Sequence, residues 1–370
     1  MKTILIDGLG LIGGSIALAI RKKWPDERIV AVDVSPDVLE HAKRSGIIDE
    51  GSLQLNEVAA NADVIVLSAP VGIIIDHIKT LAELSLKPEV IVTDVGSTKQ
   101  AIMQHAQKLT EKKVIFIGGH PMAGWHKTTI RAARADLFQS AYYFLINDTL
   151  IDERHQAAAR ALQELLSELS VKWLTVSASR HDRIVAQISH LPHILASGLV
   201  NMSQNEFRNS PLSLKLAAGG FKSITRIASS DPTMWTDILL SNRETLIDKI
   251  DRFSQCLDEV RQALAASDRE SIRTFFKEAK VTRDNLNAQT GAHAPNFYDL
   301  FLNLPDCIGS LARVTRILEH AKINLVNIHI LEIREDVAGV LQLSFSNQED
   351  RLQAKCELDR HGLPTIRGDQ

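Results

Sequence analysis

From Thr3 to about Asp148, short apolar runs alternate with amphipathic stretches. Ile4-Leu5-Ile6, Ile29-Val30-Ala31-Val32, Val64-Ile65-Val66-Leu67, Val90-Ile91-Val92 and Val114-Ile115-Phe116-Ile117 have no polar position that could face water. Each is therefore expected to be a strand buried on both faces of its sheet. Between them lie helical segments. Asp37 to Ser45 has Ser35 as a cap, Pro36 in the first turn and Gly46 as its stop. Alternating β and α elements imply a parallel sheet with helices on both faces.

From about Ser179 to Gln289 the strand pattern stops, and helical periodicity covers Asp182 to Asn205, Asp231 to Ala266 and Ser267 to Leu286. These stretches carry more apolar residues than one exposed helix would, so they are expected to pack on each other and on a second subunit. Gln289 to Pro295 is small, polar and punctuated, as a linker should be. Beyond it, Phe297 to Leu302, Asn324 to Ile333 and Val337 to Phe345 read as strands, the last two joined at Arg334-Glu335-Asp336. Ser310 to His320 and Asn347 to Leu358 read as helices, and Leu363 to Ile366 as a short last strand. That βαββαβ order is the ferredoxin-like plan. The expected division is 1–170 for the parallel-sheet domain, 171–290 for an all-α domain and 296–370 for the C-terminal module.

Composition narrows the classes. In 370 residues, 45% are hydrophobic and 24% charged, ordinary globular usage with ample material for a core. A formal net charge of −3 gives no electrostatic reason to expect nucleic acid or an anionic membrane. Cys256, Cys307 and Cys356 are far apart and form no CxxC pair, which suits reduced thiols. Met1 runs directly into a strand pattern, and no apolar stretch approaches the ~20 residues of a membrane span. A soluble, cytoplasmic protein is expected.

The first strand leads into Gly8-Leu9-Gly10-Leu11-Ile12-Gly13-Gly14. A GxGxxG alone is weak, but here it stands between a buried strand and an apolar helix. Glycines there permit a tight turn and close approach of backbone N–H groups to a pyrophosphate at the helix N-terminus. This is the Rossmann-type arrangement. Asp33 ends the second strand 20 residues beyond Gly13, where a carboxylate accepts ribose hydroxyls and repels a 2′-phosphate. NAD is thus favoured over NADP. Ala69 and Pro70, just past the third apolar run, complete the candidate cofactor contacts. Asp7 is the anomaly, a negative charge directly before Gly8.

Two later strands end in Thr93-Asp94-Val95-Gly96-Ser97-Thr98-Lys99 and Gly118-Gly119-His120-Pro121-Met122-Ala123-Gly124, at the edge where such sheets place their crevice. Ser97 is either a helix cap or a site hydroxyl. His120, between glycines and proline, is either a satisfied core histidine or a base, its ordinary pKa of ~6.5 being suited to proton transfer. Together with the opening glycine motif, these strings resemble the prephenate dehydrogenase family. The helical half carries Ser189-His190-Leu191-Pro192-His193, Gly219-Gly220-Phe221-Lys222-Ser223-Ile224-Thr225-Arg226 and Ser230-Asp231-Pro232-Thr233-Met234-Trp235, which resemble the same family. From about Phe297 to Gln370 the chain is similar to an ACT domain, a ligand-sensing module of amino-acid pathway enzymes.

The resemblance implies oxidative decarboxylation of prephenate to 4-hydroxyphenylpyruvate with NAD, a step towards tyrosine; the apolar helical segment adds the expectation of a homodimer. It implies His120 as base for the ring hydroxyl, with Ser97 bonding that hydroxyl or holding the imidazole tautomer. Arg226 would grip a substrate carboxylate, a planar guanidinium being suited to bidentate recognition. A structural ion pair is its alternative. His193 would line the pocket with His190 supporting, Trp235 would wall it or belong to the core, and Gly219 lies in the matching substrate segment. The histidine pair lacks an acidic third ligand at a recognisable spacing, so no metal is expected. Trp125 and Thr129 depart from the family pattern after the histidine motif and put the pocket rim in doubt. In the C-terminal module, Asp306, Ile308, Gly309 and Asn327 match the places where ACT domains surround an effector, here expected to be tyrosine. A purely structural dimer contact is the alternative. Arogenate dehydrogenase, another 3-hydroxyacid dehydrogenase and a non-catalytic sensor of NAD and amino acids remain the competing functions.

Overall fold

The computed structural model describes the chain except residues 113, 125–128, 151, 211–212, 214–215, 290–297, 305–306, 332–338 and 367–370. Two compact units emerge, one of residues 1–202 with 225–254, the other of 203–224 with 255–370.

In the first unit, six parallel strands form a sheet: β1 (Thr3–Asp7), β2 (Arg28–Val32), β3 (Glu50–Ser52), β4 (Val64–Leu67), β5 (Ile91–Asp94) and β6 (Ile115–Ile117). Their order is β3-β2-β1-β4-β5-β6, so the direction of winding reverses at β1–β4, where doubly wound sheets open a crevice. Strand alternation divides the core. Ile4 and Ile6 face the layer containing Ile16 and Ile20, whereas Leu5 faces the layer of Ile74 and Ile78. All five expected runs are strands. The short β3, Glu50-Gly51-Ser52, has no apolar run to announce it. Helix Pro36–Arg44 also differs in detail from expectation: Ser35 is at the N-cap but its hydroxyl makes no capping bond. Gly46, at φ +68, closes the helix as expected.

A second, three-stranded sheet was not foreseen. It comprises β7 (Gly119–Pro121), β8 (Tyr142–Ile146) and β9 (Lys172–Val176), with β7 antiparallel and β9 parallel to β8. The chain then turns helical. Ser177 caps helix Ala178–Val185, accepting from the Arg180 N–H at 3.3 Å. A π-helical turn, Ala186–His190, leads into helix Leu191–Glu206. Pro192 cannot donate to the Ile188 carbonyl, and the turn before it widens. The single helix expected from Asp231 to Ala266 is two, Pro232–Ser241 and Arg243–Ala265. The break is at Asn242, whose buried side-chain amide donates to the Asp182 carbonyl oxygen at 2.9 Å. That bond holds Asn242 in a non-helical conformation at φ −121, ψ 26.

In the second unit, after helix Arg269–Gln289, β10 (Tyr298–Leu304), β11 (Asn327–Leu331), β12 (Gly339–Phe345) and β13 (Thr365–Ile366) form an antiparallel sheet in the order β11-β12-β10-β13. Helices Ser310–His320 and Gln348–Arg360 supply Val314, Ile317, Ala354 and Leu358 to the core beneath Leu302, Leu341 and Phe345. This is the expected ferredoxin-like plan, consistent with an ACT-like domain. Of the expected linker, Gln289 instead ends helix Arg269–Gln289, and residues 290–295, like the turn at 334–336, lie outside the described residues. Cys256, Cys307 and Cys356 are free. Among the described residues, no helix is long and apolar enough to cross a membrane.

Candidate active site

The β1–helix turn is closed to side chains. Gly8 has φ +94, and a Cβ there would meet the Ser68 carbonyl at 2.9 Å; a Cβ on Gly13 would sit 2.0 Å from the Gly8 oxygen. Gly10 starts helix Leu11–Lys23, which has no acidic residue in its first turn. The helix therefore presents its first N–H groups, around Leu11, Ile12 and Gly13, with an uncompensated positive end. Asp33 lies beside this turn, accepting from Leu9 N–H and Ser35 N–H at 2.9 Å each. Ala69 and Pro70 belong to the next loop: the position of a Gly8 Cβ is 3.0 Å from the Ala69 nitrogen, and Pro70 precedes helix Val71–Glu83. These residues form a cradle that a dinucleotide pyrophosphate fits. Asp7, only 2% exposed, is turned to His77 on that helix, 2.5 Å away.

A second set of groups gathers past the ends of β5 and β6. Asp94 accepts from the N–H groups of Gly96 at 2.8 Å and Gly119 at 3.2 Å, and from the Lys99 ammonium. Lys99 is completely buried and also donates to the Gly119 carbonyl at 2.6 Å. Burial pushes its pKa down, and the Asp94 and Asp182 charges oppose that shift. Gly119 has no room for a side chain, since a Cβ would come within 2.8 Å of the Asp94 carbonyl oxygen. The strand that carries His120 is thus clamped to the loop that carries Ser97.

His120 is half-buried, and its Nδ1 lies 2.8 Å from His181 Nε2. His181 Nδ1 in turn lies 2.7 Å from the Asp182 carboxylate. Asp182 is fully buried and also accepts from Lys99 N–H at 2.7 Å and Gln100 N–H at 2.8 Å, capping helix Gln100–Glu111 from outside. Burial, followed by the charges of His181, Lys99 and His190, holds His120 well below the usual histidine range. Ser97 is therefore not the Nδ1 partner of His120; His181 is. Nor does Ser97 cap the following helix, because Asp182 bonds to those N–H groups.

The third group stands on the helical segment. His193 stacks on Trp235 with ring centroids 3.6 Å apart, and His190 meets the same indole edge-on at 5.9 Å. Burial pushes His190 down to about 4. His193 is lowered too, first by burial; its Nδ1 donates to the Ser189 carbonyl, which opposes the shift, while the Arg226 charge adds to it. Arg226 is exposed and makes no ion pair among the described residues. Trp235 Nε1 is buried with no hydrogen-bond partner among the described residues. Gly219 opens helix Gly219–Thr225 in the other compact unit and is exposed.

Comparison with known proteins gives the family. Residues 16–173 match the family described as prephenate dehydrogenase, nucleotide-binding domain, and residues 177–278 match prephenate dehydrogenase, dimerization domain. The chain belongs to the prephenate dehydrogenase family. The prephenate dehydrogenase of Bacillus subtilis (strain 168) is 38% identical over 353 residues, 95% of this chain and 94% of that one. That of Lactococcus lactis subsp. cremoris is 42% identical over 356 residues, covering 96% and 97%. A crystal structure of prephenate dehydrogenase from A. aeolicus in complex with hydroxyphenyl propionate and NAD+ matches with a TM-score of 0.69 at 29% identity, over 77% of this chain and 98% of that chain.

Within this prephenate dehydrogenase fold, sequence reasoning missed the buried partners Asp94, Lys99, His181, Asp182 and Asn242. The adjacent His181-Asp182, early in an amphipathic helix, was the one signal available for part of the set. In the C-terminal module, Ile308 is fully exposed, and Gly309 has φ +91 at the start of helix Ser310–His320. The Asn327 side-chain oxygen accepts from the Ile328 N–H at 2.8 Å. Asp306 and Trp125 lie outside the described residues, while Thr129 starts the short turn Ile130–Ala132.

The Asp7–His77 pair makes a pH-dependent contribution to stability. The Asp7 bond raises the His77 pKa, with burial opposing. A folded pKa above the unfolded ~6.5 means the contribution is fully present below about pH 6.5 and lost as pH rises through the folded value. His77→Gln should therefore destabilise the protein more at about pH 5.5 than at about pH 9. Paired urea denaturation checks this, and equal losses at both values would remove the linkage.

Proposed function

We propose that this chain is an NAD-dependent prephenate dehydrogenase, converting prephenate to 4-hydroxyphenylpyruvate. The observation that carries the reading is a half-buried imidazole, His120, bonded through Nδ1 to a buried histidine and so left with Nε2 for chemistry. Bound in the glycine cradle, NAD supplies a hydride acceptor. His120 Nε2 accepts the proton of the ring hydroxyl as that carbon is oxidised, and Ser97 donates to or accepts from the same hydroxyl. Loss of carbon dioxide and aromatisation of the ring draw the reaction forward. Arg226 holds a substrate carboxylate, while His193 and Trp235 form an aromatic wall and His190 backs it.

In this reading 1–170 carries the nucleotide, 171–290 provides the substrate residues and pairs two protomers, and 296–370 carries regulation. Exposed Ile247, Ile250, Leu257, Leu264 and Phe276 on the long helices support a homodimer, since such side chains gain from a partner. Tyrosine is the proposed effector at Ile308, Gly309 and Asn327, and the cytoplasm the proposed compartment. NADH formation with prephenate, arogenate and a panel of 3-hydroxyacids tests the substrate: turnover of a simple hydroxyacid in preference to both cyclohexadienols would overturn the assignment.

Three outcomes are expected. His120→Asn should lower turnover by roughly 10²–10⁴-fold, the usual range for losing a general base, with NAD and prephenate affinity largely kept. Near-normal turnover would place the base elsewhere. Arg226→Ala should act mainly on the prephenate KM, by about 2–5 kcal/mol if the ion pair with substrate is desolvated. An unchanged KM would take Arg226 out of the site. Tyrosine should inhibit the full chain but not a form ending at residue 295; equal insensitivity of both forms would end the feedback reading.

A further inference from the structure

We propose that His181 and Asp182 are positioning residues that set the tautomer of His120 and take over the proton it abstracts. The proposal rests on the reading of His120 as base and goes beyond it. Asp182 has only acceptor oxygens, so His181 Nδ1, 2.7 Å away, must be the protonated nitrogen. A neutral His181 then has a bare Nε2. That atom lies 2.8 Å from His120 Nδ1, which must therefore carry the hydrogen between them. His120 Nε2 is left with its lone pair. A buried carboxylate two side chains away thus makes His120 a base at the nitrogen that is free for substrate.

The same chain disposes of the proton. The substrate O–H bond breaks and its proton forms a bond to His120 Nε2; the proton on His120 Nδ1 moves to His181 Nε2. His120 ends neutral, and His181 ends as an imidazolium against Asp182. No oxidant or further reactant enters this transfer. The charges around the pair favour that endpoint. Burial lowers the pKa of both imidazoles; around His120 the Lys99 and His190 charges add to that, whereas around His181 the Asp182 bond and the Asp182 and Asp94 charges oppose it, with only Lys99 adding to it. Two carboxylates, Asp94 and Asp182, surround a single ammonium, Lys99, so a cation on His181 balances the buried cluster. Phe144 packs edge-on against the His181 ring at 5.1 Å, to which the His120 ring is also steeply inclined, at 68°. The two histidines then titrate as a unit.

The tautomer gives a direct test that does not depend on activity. Histidine 15N–13C correlation NMR of the whole protein should show His120 protonated on Nδ1 and bare on Nε2 in the neutral form. His181→Gln should lower kcat by about a hundredfold, with KM for prephenate and the Kd for NAD kept, and should move the rising limb of the kcat–pH profile to lower pH. A limb shift separates positioning from a merely structural role. His120 carrying its proton on Nε2 in the unmutated protein overturns the proposal, even if His181→Gln fails to fold. An unaltered kcat profile in a folded His181→Gln also overturns it. Normal turnover of His120→Asn would instead overturn the base assignment, and the NMR result would distinguish the two failures.

Discussion

The site depends on one buried carboxylate. Asp182 is cut off from water, and an ionised group in that position costs several kcal/mol unless its oxygens are bonded. Here both are: one to Lys99 N–H and His181, the other to Gln100 N–H. The N-terminal end of helix Gln100–Glu111 adds a favourable dipole. The Asp182 backbone carbonyl meanwhile takes the Asn242 amide, which breaks the long helix. One residue thereby fixes the loop after β5, the orientation of His181 and the break that follows the helix carrying Trp235. Replacing it would leave several buried donors unpaired at once, so its role in stability and its role in geometry cannot be separated.

Lys99 and Asp94 extend the same logic into the sheet. Their pair is entirely buried, and such a pair contributes less to net stability than to register, because desolvation offsets most of the attraction. What it does provide is a fixed distance between β5 and the strand of His120, through Asp94 to Gly119 N–H and Lys99 to Gly119 carbonyl. Gly119 has to be glycine for this clamp to close.

The parallel sheet was legible because strands buried on both faces leave uninterrupted apolar runs, and the C-terminal module because its periods switch cleanly from 2 to 3.6. Elements defined by partners were not. β3 is three residues without an apolar run, and β7 is Gly-His-Pro, which no propensity marks as a strand. The helix break at Asn242 comes from a contact with a residue 60 positions earlier. The site followed the same division. His120 stood out through its glycines, and the cradle through its spacing. His181 lies 61 residues beyond His120, and nothing local links them. Asp7 was an anomaly in the sequence only because its partner, His77, is 70 residues away.

The neutral histidines clarify how a doubly negative substrate would be held. His190 is pushed down to about 4 and His193 is lowered by burial, so near neutral pH both are uncharged and act as hydrogen-bonding, aromatic surfaces. Protonating them would place a cation on His193 beside Arg226 and one on His190 beside His193, and would need the burial cost to be met as well. Among the described residues, the permanent charge acting on His193 is Arg226, whose guanidinium makes no ion pair with them. A carboxylate reaching this wall would find one strong cation and a stacked His193–Trp235 face, an arrangement suited to a flat anionic ring. In the proposed function, charge recognition and proton abstraction thus fall to different residues. That separation allows His120 to remain a weakly basic neutral imidazole, since binding the anion does not require it to be charged.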